Sequence, residues 1–290
     1  MKHRIDPKID CVFKALLGSE ANRNLLIHFL NAVLATELGT PVDQAQILNP
    51  YNDKEFLDDK LSIVDVKAQD RQGRFYQIEI QLLNYRHLPT RITYTWADLY
   101  AQQLRSGQDY GRLRPTYGIW LLAENLVPDD EAYAHHYKLR DERGRALLEH
   151  GGIWLFELDK FSAERIETEE QRWLKLFKDG GQLDEAALPD WMHTEEMRQV
   201  MATLKQFSEK ELNYFAYQAR ENFLREQRTI AKELEQAERE LEREREAREL
   251  AEQALAQERN QAELALARER KEKASALAEI ERLKVLLAQR

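Results

Sequence analysis

Residues 61–83, LSIVDVKAQDRQGRFYQIEIQLL, decide how this chain is read. Two runs of alternating, partly β-branched residues flank Asp70–Arg74, where Asp70 and Gly73 are turn formers, so the stretch predicts a β-hairpin. Strand side chains alternate with period two. Ser62, Val64, Val66 and Ala68 then share one face of the first strand, and Leu61, Ile63, Asp65 and Lys67 the other. In the second strand Tyr76, Ile78, Ile80 and Leu82 form an apolar face, opposed by Gln77, Glu79 and Gln81. Closure about Gln72 sets Asp65 across from Glu79 and Lys67 across from Gln77. Like charges so opposed, with Cβ atoms about 5 Å apart, destabilise a strand pair. Either a cation compensates them or both acids spread into solvent. A hard divalent ion suits the first case, because Mg2+ is held by one or two carboxylates together with waters and phosphate oxygens.

Outward from the hairpin, the periodicity switches between helix and strand. Residues 5–17 predict a helix with Pro7 in its lead-in and Gly18 as its breaker, and Asp10 and Lys14 lie four apart, able to pair on one face. Residues 22–38 carry Leu25, Leu26, Phe29, Leu30, Val33 and Leu34 at helical spacing, ended by Gly39. A short strand follows over 44–51, closed by Asn49-Pro50. After the hairpin, residues 90–105 predict a helix with Ile92, Trp96, Leu99 and Leu104 inward, closed at Gly107. PTYGIWLLA, residues 115–123, lacks alternation and so predicts a strand covered on both faces, and IWLFEL, residues 153–158, predicts another. His135 and His136 fall in a polar connector. Adjacent histidines without a cysteine cluster do not make a zinc site. Helix, strand, hairpin, helix and strand together give an α/β fold, a mixed sheet core flanked by helices.

The remainder is helical. Residues 161–220 predict a helical extension anchored by Trp173, Leu174, Leu176 and Phe177, then Met197, Val200, Leu204 and Phe207. Residues 221–290 hold no Gly or Pro and are rich in Glu, Arg, Ala and Leu, the composition of a long C-terminal helix or coiled coil. Ile230, Leu234, Ala237 and Leu241 follow a heptad, Glu244 and Arg248 interrupt it, and Leu255, Leu266 and Leu277 repeat at eleven. A helix of about 70 residues would extend about 100 Å. It cannot fold back into a small core unbroken, so a homo-oligomer formed through this segment is the favoured use, with a solvated single helix as the alternative. The layout expected is residues 1–160, 161–220 and 221–290.

The totals exclude several classes. A net charge of −9 with 33% charged residues advertises no global nucleic-acid affinity, so any DNA contact must come from a local basic patch. Arg71, Arg74, Arg86, Arg91 and Arg105 lie near the hairpin in sequence. The single Cys11 excludes an internal disulfide framework. The charged N-terminus is no signal peptide, and no run reaches the ~18 apolar residues of a membrane span. The expectation is a cytoplasmic protein with no membrane partner.

Asp65, followed after a hairpin by Glu79-Ile80-Gln81, resembles the PD-(D/E)XK nuclease core with its final Lys replaced by Gln. Asp10-Cys11-Val12-Phe13-Lys14, Phe29-Leu30-Asn31-Ala32-Val33-Leu34, Asp59-Lys60, Asp65-Val66-Lys67, Arg91, Tyr94, Gln103, Gly107 and Tyr110 complete the pattern. Over residues 1–160 the chain resembles the bacterial recombination-promoting nuclease and transposase family of that superfamily. The resemblance implies a restriction-endonuclease-like core and a metal-dependent DNA endonuclease linked to recombination or mobile elements. It implies Mg2+, or another divalent cation such as Mn2+ or Ca2+, held by Asp65, Glu79 and the Ile80 carbonyl, with Asp10 approaching from the opening helix. Gln81 then stands where a lysine would, and Lys67, on the same strand face as Asp65, is the candidate stand-in. Arg91 and Gln103 either touch DNA phosphates, orient the carboxylates, or are ordinary helix residues. The competing reading is a catalytically degenerate nuclease fold acting as a binding or scaffold protein through its coiled-coil tail.

Overall fold

The structure, a computed structural model, describes residues 1–48 and 65–288. Residues 49–64, which include Asp59, Lys60 and the predicted strand positions 61–64, lie outside the described residues.

The amphipathic stretches before the hairpin form helices α1 (Asp10–Leu17) and α2 (Arg23–Val33). The chain then reaches strand β1 (Ala45–Leu48). Helix α2 ends earlier than its apolar stripe predicts, because Leu34 leaves helical geometry and the chain turns back. Asn31 holds that return, its amide donating to the Val42 carbonyl at 2.8 Å and accepting from the Val42 N–H at 2.7 Å.

Strands β2 (Val66–Asp70) and β3 (Phe75–Gln81) are the described part of the predicted hairpin. They pair antiparallel with Val66 opposite Ile78 and Lys67 opposite Gln77, the closure about Gln72 that the alternation predicts. Gly73 takes φ +80° in the turn, a conformation that side chains resist. The turn is also locked by charge. Buried Asp70 accepts from the Arg74 N–H at 2.9 Å, from Arg74 Nε at 2.5 Å and from the Tyr76 hydroxyl at 2.7 Å.

Helix α3 (Leu88–Ala101) crosses from β3 to the parallel strand β4 (Thr116–Leu122), all of whose residues are buried as its unbroken apolar run predicts. It stops at Ala101, short of the predicted end, and Gly107 takes φ +80° in the following turn. Strand β6 (Gly151–Glu157) pairs parallel to β4. Between them, His135 and His136 correct the sequence reading, for they lie in a strand, β5 (Ala134–Tyr137), antiparallel to β6. Such a short strand is specified by the open edge of β6 rather than by its own residues. The sheet order is β1-β2-β3-β4-β6-β5.

The two sheet faces differ. Tyr76, Ile78, Ile119, Leu121, Trp154 and Phe156 join the main core, which α1, α2, α4 (Glu169–Asp179) and α5 (Glu195–Glu209) complete with Phe13, Phe29, Trp173, Phe177 and Leu204. On the other face Leu88 and Ile92 of α3 cover Trp120, Leu122 and Leu155 in a smaller core. The result is the predicted α/β fold, a mixed sheet flanked by helices and followed by a long C-terminal helix, α6 (Glu211–Ala288).

The chain divides into two compact units, Met1–Arg225 and Glu226–Arg290. Helices α4 and α5 belong to the first, as do the opening turns of α6. Ser208 Oγ at the end of α5 accepts from the His3 N–H at 2.7 Å, and in the opening turns of α6 the Tyr217 hydroxyl accepts from the Asp6 N–H at 3.2 Å and the Tyr214 ring stacks on His3 at 3.9 Å. The second unit is helical, with Ile230, Leu234, Leu241, Leu250 and Leu255 exposed. No helix among the described residues is long and apolar enough to cross a membrane.

Candidate active site

Glu79 stands on the face of β3 that α3 covers, in register with Trp120 and only 3% exposed. Alternation places Gln77 and Gln81 beside it. The Gln77 amide donates to Glu79 Oε1 at 3.2 Å and to the Thr95 hydroxyl at 3.0 Å, fixing the carboxylate against α3. Thr95 in turn donates to the Arg91 carbonyl one helical turn back, at 3.0 Å. Arg91 reaches from that turn to the acid, with Nη2 3.7 Å from Glu79 Oε2. Its Nη1 donates to Gln81 Oε1 at 3.3 Å, and the guanidinium lies 5.6 Å from the centre of the Trp120 ring.

Asp65 occupies the bend just before β2. Its carboxylate accepts from the Ile80 N–H at 3.1 Å, which ties it to the strand that carries Glu79. Lys14 of α1 approaches from the other side, Nζ lying 3.4 Å from Asp65 Oδ1. The site therefore gathers side chains from α1, the start of β2, β3 and α3. Only the β2–β3 part of it is contiguous in sequence.

Electrostatics mark the two acids out. Burial pushes the Glu79 carboxyl up to about 8, the nearby Asp65 charge pushes it the same way, and Arg91 opposes both without overcoming them. Burial also raises Asp65, against the pull of the Ile80 N–H and of Lys14. A charged form is disfavoured by desolvation and by a like charge close by. The pair is thus short of positive charge even with Lys14 and Arg91 beside it. Two such carboxylates are the donor set that a hard divalent ion takes when waters and phosphate oxygens fill its other positions. The residues present fit such an ion.

Asp10, the third predicted acid, is turned elsewhere. Its Oδ2 lies 3.3 Å from Arg220 Nε of α6, and its Oδ1 accepts from the Cys11 N–H at 2.7 Å. Its charge still reaches Asp65, raising that carboxyl slightly. Among the described residues no three His, Cys, Asp or Glu side chains converge on one point. The Asp10–Lys14 pair expected from their spacing is replaced by Asp10–Arg220 and Lys14–Asp65, because partners distant in sequence lie nearer the two side chains.

Lys67 lies opposite Gln77 in the ladder, half-buried, two residues from Asp65. Gln103 serves the fold. Its amide donates to the Arg114 carbonyl at 3.1 Å and to the Thr116 hydroxyl at 2.8 Å, and its oxygen accepts from the Arg114 N–H at 2.8 Å. Thr116 is four positions along β4 from Trp120, the register partner of Glu79, or about 13 Å away at strand rise. Of the arginines near the hairpin, Arg74 is committed to buried Asp70 and Arg71 lies 3.7 Å from Asp43. Sequence reading passed over Gln77, Thr95 and Lys14 as site residues. Gln77 had a signal, since it shares the period-two face of Glu79, and Thr95 lies four residues after Arg91.

The model of the PD-(D/E)XK nuclease family transposases matches residues 7–233 of the chain. That span holds every residue of the site just described and runs past the sheet into α6. No curated protein and no solved structure matches the chain significantly.

Proposed function

The chain belongs to the PD-(D/E)XK nuclease family transposases, and from that membership we propose that it hydrolyses DNA phosphodiester bonds as a divalent-metal-dependent endonuclease of the cytoplasm, acting in recombination or in the movement of mobile elements. One observation carries the reading. The carboxylate of Asp65, just before β2, accepts from the Ile80 N–H at 3.1 Å, which brings it beside buried Glu79, the preceding residue of β3.

In this reading Asp65, Glu79 and the Ile80 carbonyl hold Mg2+, or Mn2+ or Ca2+ in its place, with Asp10 at the margin. Such an ion polarises the phosphate and acidifies an attacking water. The chain's own residues do the rest. Gln77, whose amide also donates to Thr95, donates to Glu79, and the Ile80 N–H donates to Asp65. Arg91 offers a planar fork of donors to a phosphate. Gln81 can hydrogen-bond a water but brings no charge.

Nicking of supercoiled plasmid with Mg2+, Mn2+ or Ca2+ tests this. Asp65→Ala and Glu79→Ala should each lose on the order of 10³-fold in rate, since several kcal/mol of charge stabilisation vanish with the ion. Variants that nick as fast as the wild type would refute the assignment. A wild type that binds DNA but nicks none with any of these ions would favour the degenerate scaffold, a reading supported by Gln81 standing in place of lysine.

The exposed Ile230, Leu234 and Leu241 on one stripe of α6 support a second copy of this chain as the partner of the Glu226–Arg290 unit. Sedimentation of the full chain at tens of micromolar should then show a dimer or larger species, and Leu234→Glu with Leu241→Glu should reduce it to a monomer. A monomeric wild type would exclude this partner.

A further inference from the structure

With Gln81 at the place of the final lysine of the PD-(D/E)XK motif, the third-motif position, residue 81 itself brings no positive charge to the site. We propose that Arg91 supplies it, and that Gln81 delivers it. Arg91 is then a catalytic residue touching the scissile phosphate, and Gln81 a positioning residue that acts through it. This inference rests on reading Asp65 and Glu79 as the metal-holding pair.

The geometry singles out Arg91 among the cations present. Gln81 lies two residues beyond Glu79 on the same face of β3, so a side chain there reaches the ground beside the acid. Its amide is not free to rotate, because Nε2 donates to the Leu83 carbonyl at 2.6 Å. The oxygen is thereby turned to Arg91, whose Nη1 donates to it at 3.3 Å while Nη2 stands 3.7 Å from Glu79 Oε2. The guanidinium thus bridges the second acid and the third-motif position. A lysine at residue 81 would place its ammonium in the same neighbourhood.

The surroundings of Arg91 suit this use. The Trp120 ring on one side restricts the guanidinium, and the bond from Thr95 to the Arg91 carbonyl sits on the same turn of α3. The side chain nevertheless stays 39% exposed, so a phosphate can reach it. Its planar donors match phosphate oxygens two at a time. Lys14 reaches the other acid, at 3.4 Å from Asp65, and Lys67 stands opposite Gln77. Arg91, by contrast, is hydrogen-bonded to residue 81 itself. A guanidinium keeps its proton at every working pH, so Arg91 makes and breaks no bond and contributes charge alone.

The test is a rescue, read as single-turnover nicking of supercoiled plasmid by the full chain with Mg2+ or Mn2+. Arg91→Met should slow the reaction by about 100-fold, the scale of losing one preorganised donor at a developing charge. Gln81→Met should slow it in the same direction. Gln81→Lys placed in the Arg91→Met background should recover at least tenfold, because the ammonium then comes from β3 as in the lysine-bearing motif. A structural role for Arg91 predicts no such recovery, and thermal melts establish that each variant is folded. Arg91→Met cleaving as fast as wild type, or a folded double variant no faster than Arg91→Met, overturns the inference. If Asp65→Ala and Glu79→Ala are inactive while Arg91→Met is fully active, the metal pair stands and only this inference falls. If those two alanine variants are fully active, or the wild type nicks nothing with any ion, both fall.

Discussion

Glu79→Gln should abolish cleavage and at the same time raise the melting temperature of the metal-free protein at pH 8. The two effects share one cause. The carboxyl has an ordinary value of 4.5 and is pushed up to about 8 in the fold by burial and by Asp65. A group whose folded value lies above its unfolded one favours the native state while both are protonated. Its contribution is present in full below about pH 4.5 and is lost progressively as pH rises through about 8. The wild type should therefore melt lower at pH 8 than at pH 5.5 in the absence of divalent ions, and Glu79→Gln should lack this part of the slope. Gln keeps an oxygen for the Gln77 amide, so the 3.2 Å contact survives the change. A shift of one pKa unit corresponds to about 1.4 kcal/mol, and 1 kcal/mol moves the melting point of a domain this size by about 2–4 °C, so the gain at pH 8 should be at least about 3 °C.

Adding Mg2+ should reverse the order. An ion that binds only the folded state stabilises it by mass action, and it must compete with the proton on Glu79. Its stabilisation of the wild type should thus be larger at pH 8 than at pH 6, and small for Glu79→Gln at either. Calorimetry at both pH values with and without the ion measures all of this. A Glu79→Gln protein that melts at or below the wild type at pH 8 would show that the acid pair is not under strain.

What was legible in the sequence follows from the range of the interactions. The β2–β3 register was legible because a period-two pattern and a turn with Asp70 and Gly73 specify it within twenty residues. The apolar run of β4 was legible because burial on both faces suppresses alternation. The partners of charged side chains were not. Lys14 reaches Asp65, and Asp10 reaches Arg220, across stretches of chain that no local rule spans. Arg74, read among the arginines near the hairpin, is consumed by Asp70 inside the turn, which only burial reveals. Strand β5 escaped for a related reason. His135 becomes half-buried only against β6, where its ring nitrogen lies 3.0 Å from Glu157, while His136 stays exposed.

A chain ending at residue 160 should fail to fold, whereas one ending at residue 225 should fold. Cutting at 160 keeps every described strand and every site residue that the sequence defines, and takes away Arg220, the partner of Asp10. It removes α4 and α5, however, and with them Trp173, Leu174, Leu176, Phe177 and Leu204, all fully buried. Trp173 packs its ring 5.5 Å from Phe29 and donates its indole N–H to His28 at 3.0 Å, so its loss opens the outer face of α2. Burying a large apolar side chain contributes about 1.5–3 kcal/mol, so five of them contribute about 10 kcal/mol, comparable to the whole stability of an ordinary domain. Trp173→Ala in the full chain isolates the largest of these, and should cost about 3–5 kcal/mol in urea unfolding. The consequence reaches the chemistry, because α1 carries Lys14 and packs against α2 and α5. Loosening that layer should move Lys14 away from Asp65 while Glu79, held by Gln77 and Thr95 on the opposite face, stays in place. Cooperative unfolding of the 1–160 fragment, with native-like circular dichroism, would show instead that the sheet and its first helices suffice.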